Sequence, residues 1–109
     1  MKVLTYSATI YVGRKCRKTG LTCKWSIITK AVELYVNKIG LCVTVTPTYF
    51  FYTNGKEKGA MIGFINYPRF PSTNSKIKKQ ALELANILRI KCKQLKVSVV
   101  FPKETIMLG

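Results

Sequence analysis

The stretch LCVTVTPTYFFYTNGKEKGAMIGFINY, residues 41–67, decides the fold. Leu41 to Tyr52 is dense in Val, Thr and aromatic residues, the composition of a half-buried pleated strand. Pro47 within it predicts a bulge or an edge position, because it has no N–H to give to a ladder. Asn54-Gly55 is a hairpin turn signal, since both residues tolerate positive φ. Ala60 to Tyr67 is then the returning strand.

Outward from this hairpin, the flanking segments must cover one of its faces. Upstream, Ser26 is a candidate N-cap for a helix in which Ile28, Val32, Tyr35 and Ile39 share one stripe, with Gly40 as its expected stop. Before it, Val3 to Val12 alternates, with Leu4, Tyr6, Ala8, Ile10 and Val12 on one face and Tyr11 ending the more polar one. Downstream, Tyr67-Pro68-Arg69-Phe70-Pro71 is a stiff loop, because its prolines suit neither a helix nor a strand interior. Ser72 to Ser75 offers caps for a second helix lined by Ile77, Ala81, Leu84, Ala85 and Leu88. Lys96 to Phe101 reads as a short strand, and Thr105 to Leu108 as a brief edge segment after Pro102. The order β-α-β-β-α-β predicts a single α+β domain over residues 1–109, of the ferredoxin-like split βαβ type. Its sheet is expected to have four antiparallel strands in the order 4-1-3-2, with both helices on one face.

Composition narrows the chemistry. Nineteen Lys and Arg stand against four acidic residues, Glu33, Glu57, Glu83 and Glu104; Asp and His are absent, and the formal charge is +15. Paired carboxylates, His-based acid–base catalysis and carboxylate-held Mg²⁺ all need residues that are missing or isolated, so no enzymatic turnover is expected. No apolar run approaches the ~18 residues of a membrane span. Thr5, Ser7 and Thr9 break up the segment a signal peptide would need. A reducing cytoplasm is therefore expected, with Cys16, Cys23, Cys42 and Cys92 as thiols. Their spacing contains no Cys-x-x-Cys pair and no His completes a zinc site, so neither metal nor cofactor is expected.

Three basic segments meet at one pole of the expected topology. They are the loop carrying Arg14, Lys15, Arg17, Lys18 and Lys24, the hairpin with Lys56 and Lys58, and the end of the second helix with Arg89, Lys91, Lys93 and Lys96. A basic loop entering a helix N-terminus suits phosphate in general, although its spacing matches no nucleotide fingerprint. The structural alternative is a solvated charged loop. On the open sheet face the topology sets Tyr11 beside Ile62 and Phe64, as a ligand platform, a second buried layer or a subunit interface. Arg69 and Phe70, held between Pro68 and Pro71, suit stacking with phosphate contact or an interface anchor; otherwise Phe70 folds back onto the core.

Ile10-Tyr11-Val12-Gly13 and Ile62-Gly63-Phe64-Ile65-Asn66-Tyr67 resemble the first-strand and third-strand motifs of the RNA-recognition-motif family, with Ile62 where that family has a second aromatic. The resemblance implies base stacking on Tyr11 and Phe64. Small size, lysine richness and the segment GFINYPRFPS also give the chain a likeness to small phage-encoded α+β proteins, which implies an anti-defence role.

These features predict a non-enzymatic protein that captures a phosphate-bearing ligand, either a nucleotide or single-stranded nucleic acid. Arg14, Lys15, Arg17, Lys18, Lys24, Lys56, Lys58 and Lys93 would hold phosphate, and Tyr11, Phe64, Arg69 and Phe70 would stack or form an interface. The alternative is a phage-type anti-defence protein that sequesters a nucleotide signal or blocks a host effector through an acidic protein surface. An exposed aromatic sheet face further predicts a homo-oligomer.

Overall fold

Alternation along the first strand sets the layers of the molecule. The computed structural model describes residues 1–109. In chain order the elements are β1 (Ser7–Gly13), α1 (Trp25–Ile39), β2 (Thr44–Tyr52), β3 (Gly55–Ile65), α2 (Asn74–Lys91), β4 (Val97–Val100) and β5 (Thr105–Leu108). Ala8, Ile10 and Val12 of β1 are buried, as the alternation requires. They share one core with Ala60, Ile62 and Phe64 of β3, Val97 and Val99 of β4, Ile28, Val32 and Tyr35 of α1, and Ile77, Ala81, Leu84, Ala85 and Leu88 of α2. Both helices therefore cover the same face of the sheet.

The sheet order is β2-β3-β1-β4-β5, with every neighbour antiparallel. The four expected strands take the expected order, but the sheet has five strands, because Thr105–Leu108 pairs fully with β4 from Val97↔Leu108 to Val100↔Thr105. The reversal is local: the Phe101 N–H donates to the Glu104 carbonyl at 2.7 Å across Pro102 and Lys103. Pro47 lies on β2, an edge strand, where a missing donor costs least.

Caps follow the local chemistry with one shift. Thr73 caps α2, its Oγ1 accepting from the Lys76 N–H at 3.2 Å. Gly40 ends α1 in the left-handed region at φ 80, its N–H donating to the Val36 carbonyl. The N-cap of α1 is Lys24, not Ser26, and has no side-chain cap; Ser26 lies inside the first turn, its carbonyl accepting from Thr29 Oγ1. Glu83 of α2 faces Tyr35 of α1. It accepts from the Tyr35 hydroxyl at 2.7 Å and joins the two helices. Burial first, and the Glu83 carboxylate second, hold the Tyr35 phenol well above its usual range.

The face assignment of β3 differs from the sequence expectation. Ile10 pairs with Ile62 and Ala8 with Phe64, so Ile62 and Phe64 enter the core and are only 0% and 3% exposed. Phe64 is consequently not on the open face with Tyr11. That face carries Tyr11 and Gly13 from β1, Phe50 from β2, and Glu57, Gly59, Met61 and Gly63 from β3. Phe50 lies across Gly59 toward Tyr11, with ring centroids 6.4 Å apart at 60°. A Cβ at Gly59 would sit 2.1 Å from Phe50 Cε2 and 2.8 Å from the Val12 carbonyl oxygen. Gly59→Ala is therefore expected to lose about 1–3 kcal/mol in urea unfolding. The loss should shrink when Phe50 is already Ala, as a double-mutant cycle would measure.

Candidate functional site

The open face forms a groove of about 510 Å³ at the end of the sheet where β1 runs out into its basic loop. Its walls are aromatic and polar. Tyr11 stands opposite Ser98 on β4, Phe50 stands opposite Glu57 on β3, and Met107 of β5 closes the far side beside Ser98.

The floor is Gly13, and two acceptor oxygens converge above it. A Cβ there would lie 2.9 Å from Gln94 Oε1 and 3.4 Å from Glu57 Oε1, so only glycine keeps the space between them open. Gln94 is aimed by its backbone and by its own amide. Lys93 turns left-handed at φ 53, and the Gln94 N–H reaches back to the Arg89 carbonyl at 2.8 Å. Gln94 Nε2 donates to the carbonyls of Lys15 and Cys92, both at 3.0 Å, which leaves Oε1 as the atom presented to the groove. Arg17 and Lys96 form a cationic rim. Beside it, Cys16, Lys18, Thr19 and Lys93 line a second hollow of about 330 Å³ that shares Arg17, Gln94 and Leu95 with the first. The Thr19 hydroxyl, then the backbone N–H groups of Thr19 and Lys18, hold the Cys16 thiol below its usual range.

This arrangement has a definite chemical character. Two oxygens that only accept hydrogen bonds face the donors of a ligand, and a carboxylate with two aromatic rings attracts a cation. The rim of Arg17 and Lys96 attracts an anionic group at the same ligand's other end.

The cations expected at one pole divide. Arg17, Lys93 and Lys96 line the two hollows. Lys15 and Lys58 contribute backbone, the first as acceptor for Gln94 and the second for the Arg14 N–H at 3.0 Å. Arg14 is partly engaged within the loop: its Nε donates to the Cys23 carbonyl at 3.0 Å and its guanidinium covers Trp25 at 5.3 Å. Lys24 caps α1, and Lys56 is exposed on β3 opposite Phe51. Neither lines the groove.

Arg69 and Phe70 sit at the other end of the sheet, after β3 has run its length, with the Arg69 guanidinium 5.9 Å above the Phe70 ring. They line a separate hollow of about 430 Å³ with Cys42, Tyr67 and Lys76. Phe70 is 60% exposed, so it does not fold back as a core lid. Burial first, and the Cys42 thiol second, push the Tyr67 phenol upward.

Phe50, Glu57 and Gln94 are the groove residues that sequence reasoning missed. For Phe50 and Glu57 the signal was the turn, since counting outward from Tyr52↔Gly55 pairs them; Gln94, beyond the end of α2, carried no such signal. No helix is long and apolar enough to cross a membrane.

No protein-family model matches the chain, and no curated protein matches it. Two solved structures match over its full length. One is a phage SAM lyase in its apo state, at TM-score 0.73 and 15% identity, covering 100% of this chain and 94% of that one. The other is a phage SAM lyase in complex with S-methyl-5'-thioadenosine, at TM-score 0.73 and 14% identity, covering 100% of this chain and 95% of that one. These likenesses overturn the expectation of a non-enzymatic binder, since the fold shared from end to end is that of an enzyme. They give no better support to a sequestering or effector-blocking protein.

Proposed function

We propose that this chain is a lyase acting on a sulfonium nucleoside of the S-adenosylmethionine class, bound in the groove of Tyr11, Phe50, Glu57 and Gln94. The observation that carries this reading is the full-length likeness to phage SAM lyase, and the groove's chemistry fits such a ligand.

S-methyl-5'-thioadenosine is what remains of S-adenosylmethionine when the bond between sulfur and the methionine γ-carbon breaks. The bonding pair goes to sulfur, which turns from a sulfonium cation into a neutral thioether, so the leaving group needs no acid. The substrate's own carboxylate can supply the new bond to the γ-carbon and close a five-membered lactone, so the reaction needs no protein base. Intramolecular reactions of this kind reach effective molarities of about 10⁵–10⁸ M when the geometry is held. A chain without Asp or His is suited to that work, which is to fold the substrate into the ring-closing conformation and exclude water.

Each groove residue then has a role. Tyr11 and Phe50 take the sulfonium and the nucleoside base against their faces. Glu57 Oε1 and Gln94 Oε1 accept from the ligand's hydroxyl and ammonium donors, while Arg17 and Lys96 steer its carboxylate. Glu57 attracts a positive charge that disappears as the carbon–sulfur bond breaks, so its effect belongs to substrate binding more than to the chemical step.

Incubation of the purified protein with S-adenosylmethionine should produce S-methyl-5'-thioadenosine, read by chromatography and mass spectrometry. Unchanged substrate after hours at micromolar protein, with no heat of binding for S-methyl-5'-thioadenosine, would refute the proposal. Glu57→Gln and Phe50→Ala should each cost about 1–2 kcal/mol of substrate binding, or roughly five- to thirtyfold in KM. Glu57→Gln should not lower kcat and should raise it modestly, because the attraction removed is weaker in the transition state than in the bound substrate. Lys24→Ser and Lys56→Ser, outside the groove, should leave kcat/KM within about twofold of the parent.

A further inference from the structure

Two thiols meet between the basic loop and the end of α2. Cys23 Sγ lies 3.2 Å from Cys92 Sγ, although the residues are 69 positions apart. Cys23 closes the loop: its N–H donates to the Arg14 carbonyl at 2.6 Å, and its own carbonyl accepts from Arg14 Nε at 3.0 Å. Cys92 caps α2 and is buried, its N–H donating to the Leu88 carbonyl at 2.9 Å. Both sulfurs are thus held by backbone that is itself hydrogen-bonded. A disulfide needs an approach of only about 1 Å more than this contact.

We infer that Cys23 and Cys92 form a modification site, a thiol pair that a low-molecular-weight disulfide of the glutathione class oxidises to a staple between the Gly13–Lys24 loop and α2. The order of events follows from exposure. Partly buried Cys23, the more accessible of the two, attacks the oxidant as thiolate and forms a mixed disulfide, releasing one small thiol. Cys92 then loses its proton and attacks Cys23 Sγ, releasing the second small thiol. Two protein thiols and one small disulfide thereby become one protein disulfide and two small thiols. Burial keeps Cys92 from meeting the oxidant first, and the same burial, then the Cys23 thiol beside it, push its pKa up to about 12.

The staple would act where a hydrogen bond already does. Gln94, two residues beyond Cys92, donates to the Lys15 carbonyl of the same loop. A covalent link beside that bond would hold the loop to the helix end and constrain the unfolded chain across most of its length. The inference stands on the thiol contact alone and does not depend on the ligand of the groove.

The test treats the full-length protein with glutathione disulfide and then with dithiothreitol. Titratable thiols of the denatured protein should fall from the four free cysteines to two, with a tryptic fragment joining the Cys23 and Cys92 peptides. The melting temperature should rise by on the order of 10 °C. Trypsin cleavage after Arg14, Lys15, Arg17 and Lys18 should slow several-fold, and dithiothreitol should reverse all three changes. Cys23→Ser should abolish the rise and the protection, whereas Cys42→Ser should behave as the parent. A lasting glutathione adduct on Cys23 with Cys92 still free, a link through Cys16, or a closed disulfide that lowers the melting temperature would overturn the inference.

Discussion

Pairing of β1 with β3, with Ile10 opposite Ile62, is the contact on which the rest of the molecule depends. Strand side chains alternate with a period of two, so this one register decides the face of every residue on both central strands. It sends Ala8, Ile10, Val12, Ala60, Ile62 and Phe64 under the helices. It also leaves Tyr11, Gly13, Glu57 and Gly59 on the far side. A slip by one residue would bury Glu57 and expose Phe64, at a cost that a domain of this size does not recover. Core and groove are thus two outcomes of one alignment.

The groove's shape comes from side chains that are missing as much as from those present. Gly59 lets the Phe50 ring lie across the sheet, and Gly13 keeps the space between Glu57 and Gln94 clear. Gln94 reaches that space because the end of α2 turns back through Lys93 and because its amide is held by Lys15 and Cys92. A helix terminus, a loop and a strand end are therefore tied together at the floor of the groove. Residues distant in sequence are thereby held in fixed positions around one space.

Most of the fold was legible because each element carries its own signal. Asn54-Gly55 marks the hairpin, although the turn itself is Thr53-Asn54 and Gly55 already pairs with Tyr52; Gly40 gives the end of α1, and the 3.6-residue spacing of Ile77, Ala81, Leu84 and Leu88 gives the inner face of α2. The phase of β3 was not legible from hydrophobicity, because Ala60-Met61-Ile62-Gly63-Phe64-Ile65 is apolar on both parities. The distinguishing signal was Glu57, Gly59 and Gly63, all of one parity, which leaves Ala60, Ile62 and Phe64 to fill the core. Two short apolar strings that look like base-stacking motifs hid that phase and drew Phe64 to the wrong face. For the cations, counting positive charges gathered them at one pole, whereas the structure divides them between the hollows and the surrounding backbone. Arg14 is engaged by Trp25 and the Cys23 carbonyl, and the distinctive groove residue is the carboxylate of Glu57. The expectation of no turnover rested on a search for protein bases, and such a search overlooks any substrate that brings its own leaving group and its own nucleophile.

Placing Glu57 within a surface of formal charge +15 has a kinetic consequence. A cationic ligand on its way to the groove crosses a repulsive field before it feels the carboxylate at short range. Added salt weakens the long-range repulsion, over a Debye length of about 10 Å at 0.1 M, more than it weakens the contact inside the groove. Capture of a sulfonium should therefore quicken as ionic strength rises. A polyanion drawn to the same surface would show the opposite slope, because its binding releases counterions and weakens with salt. The direction of that slope reports which charge on this protein meets its ligand.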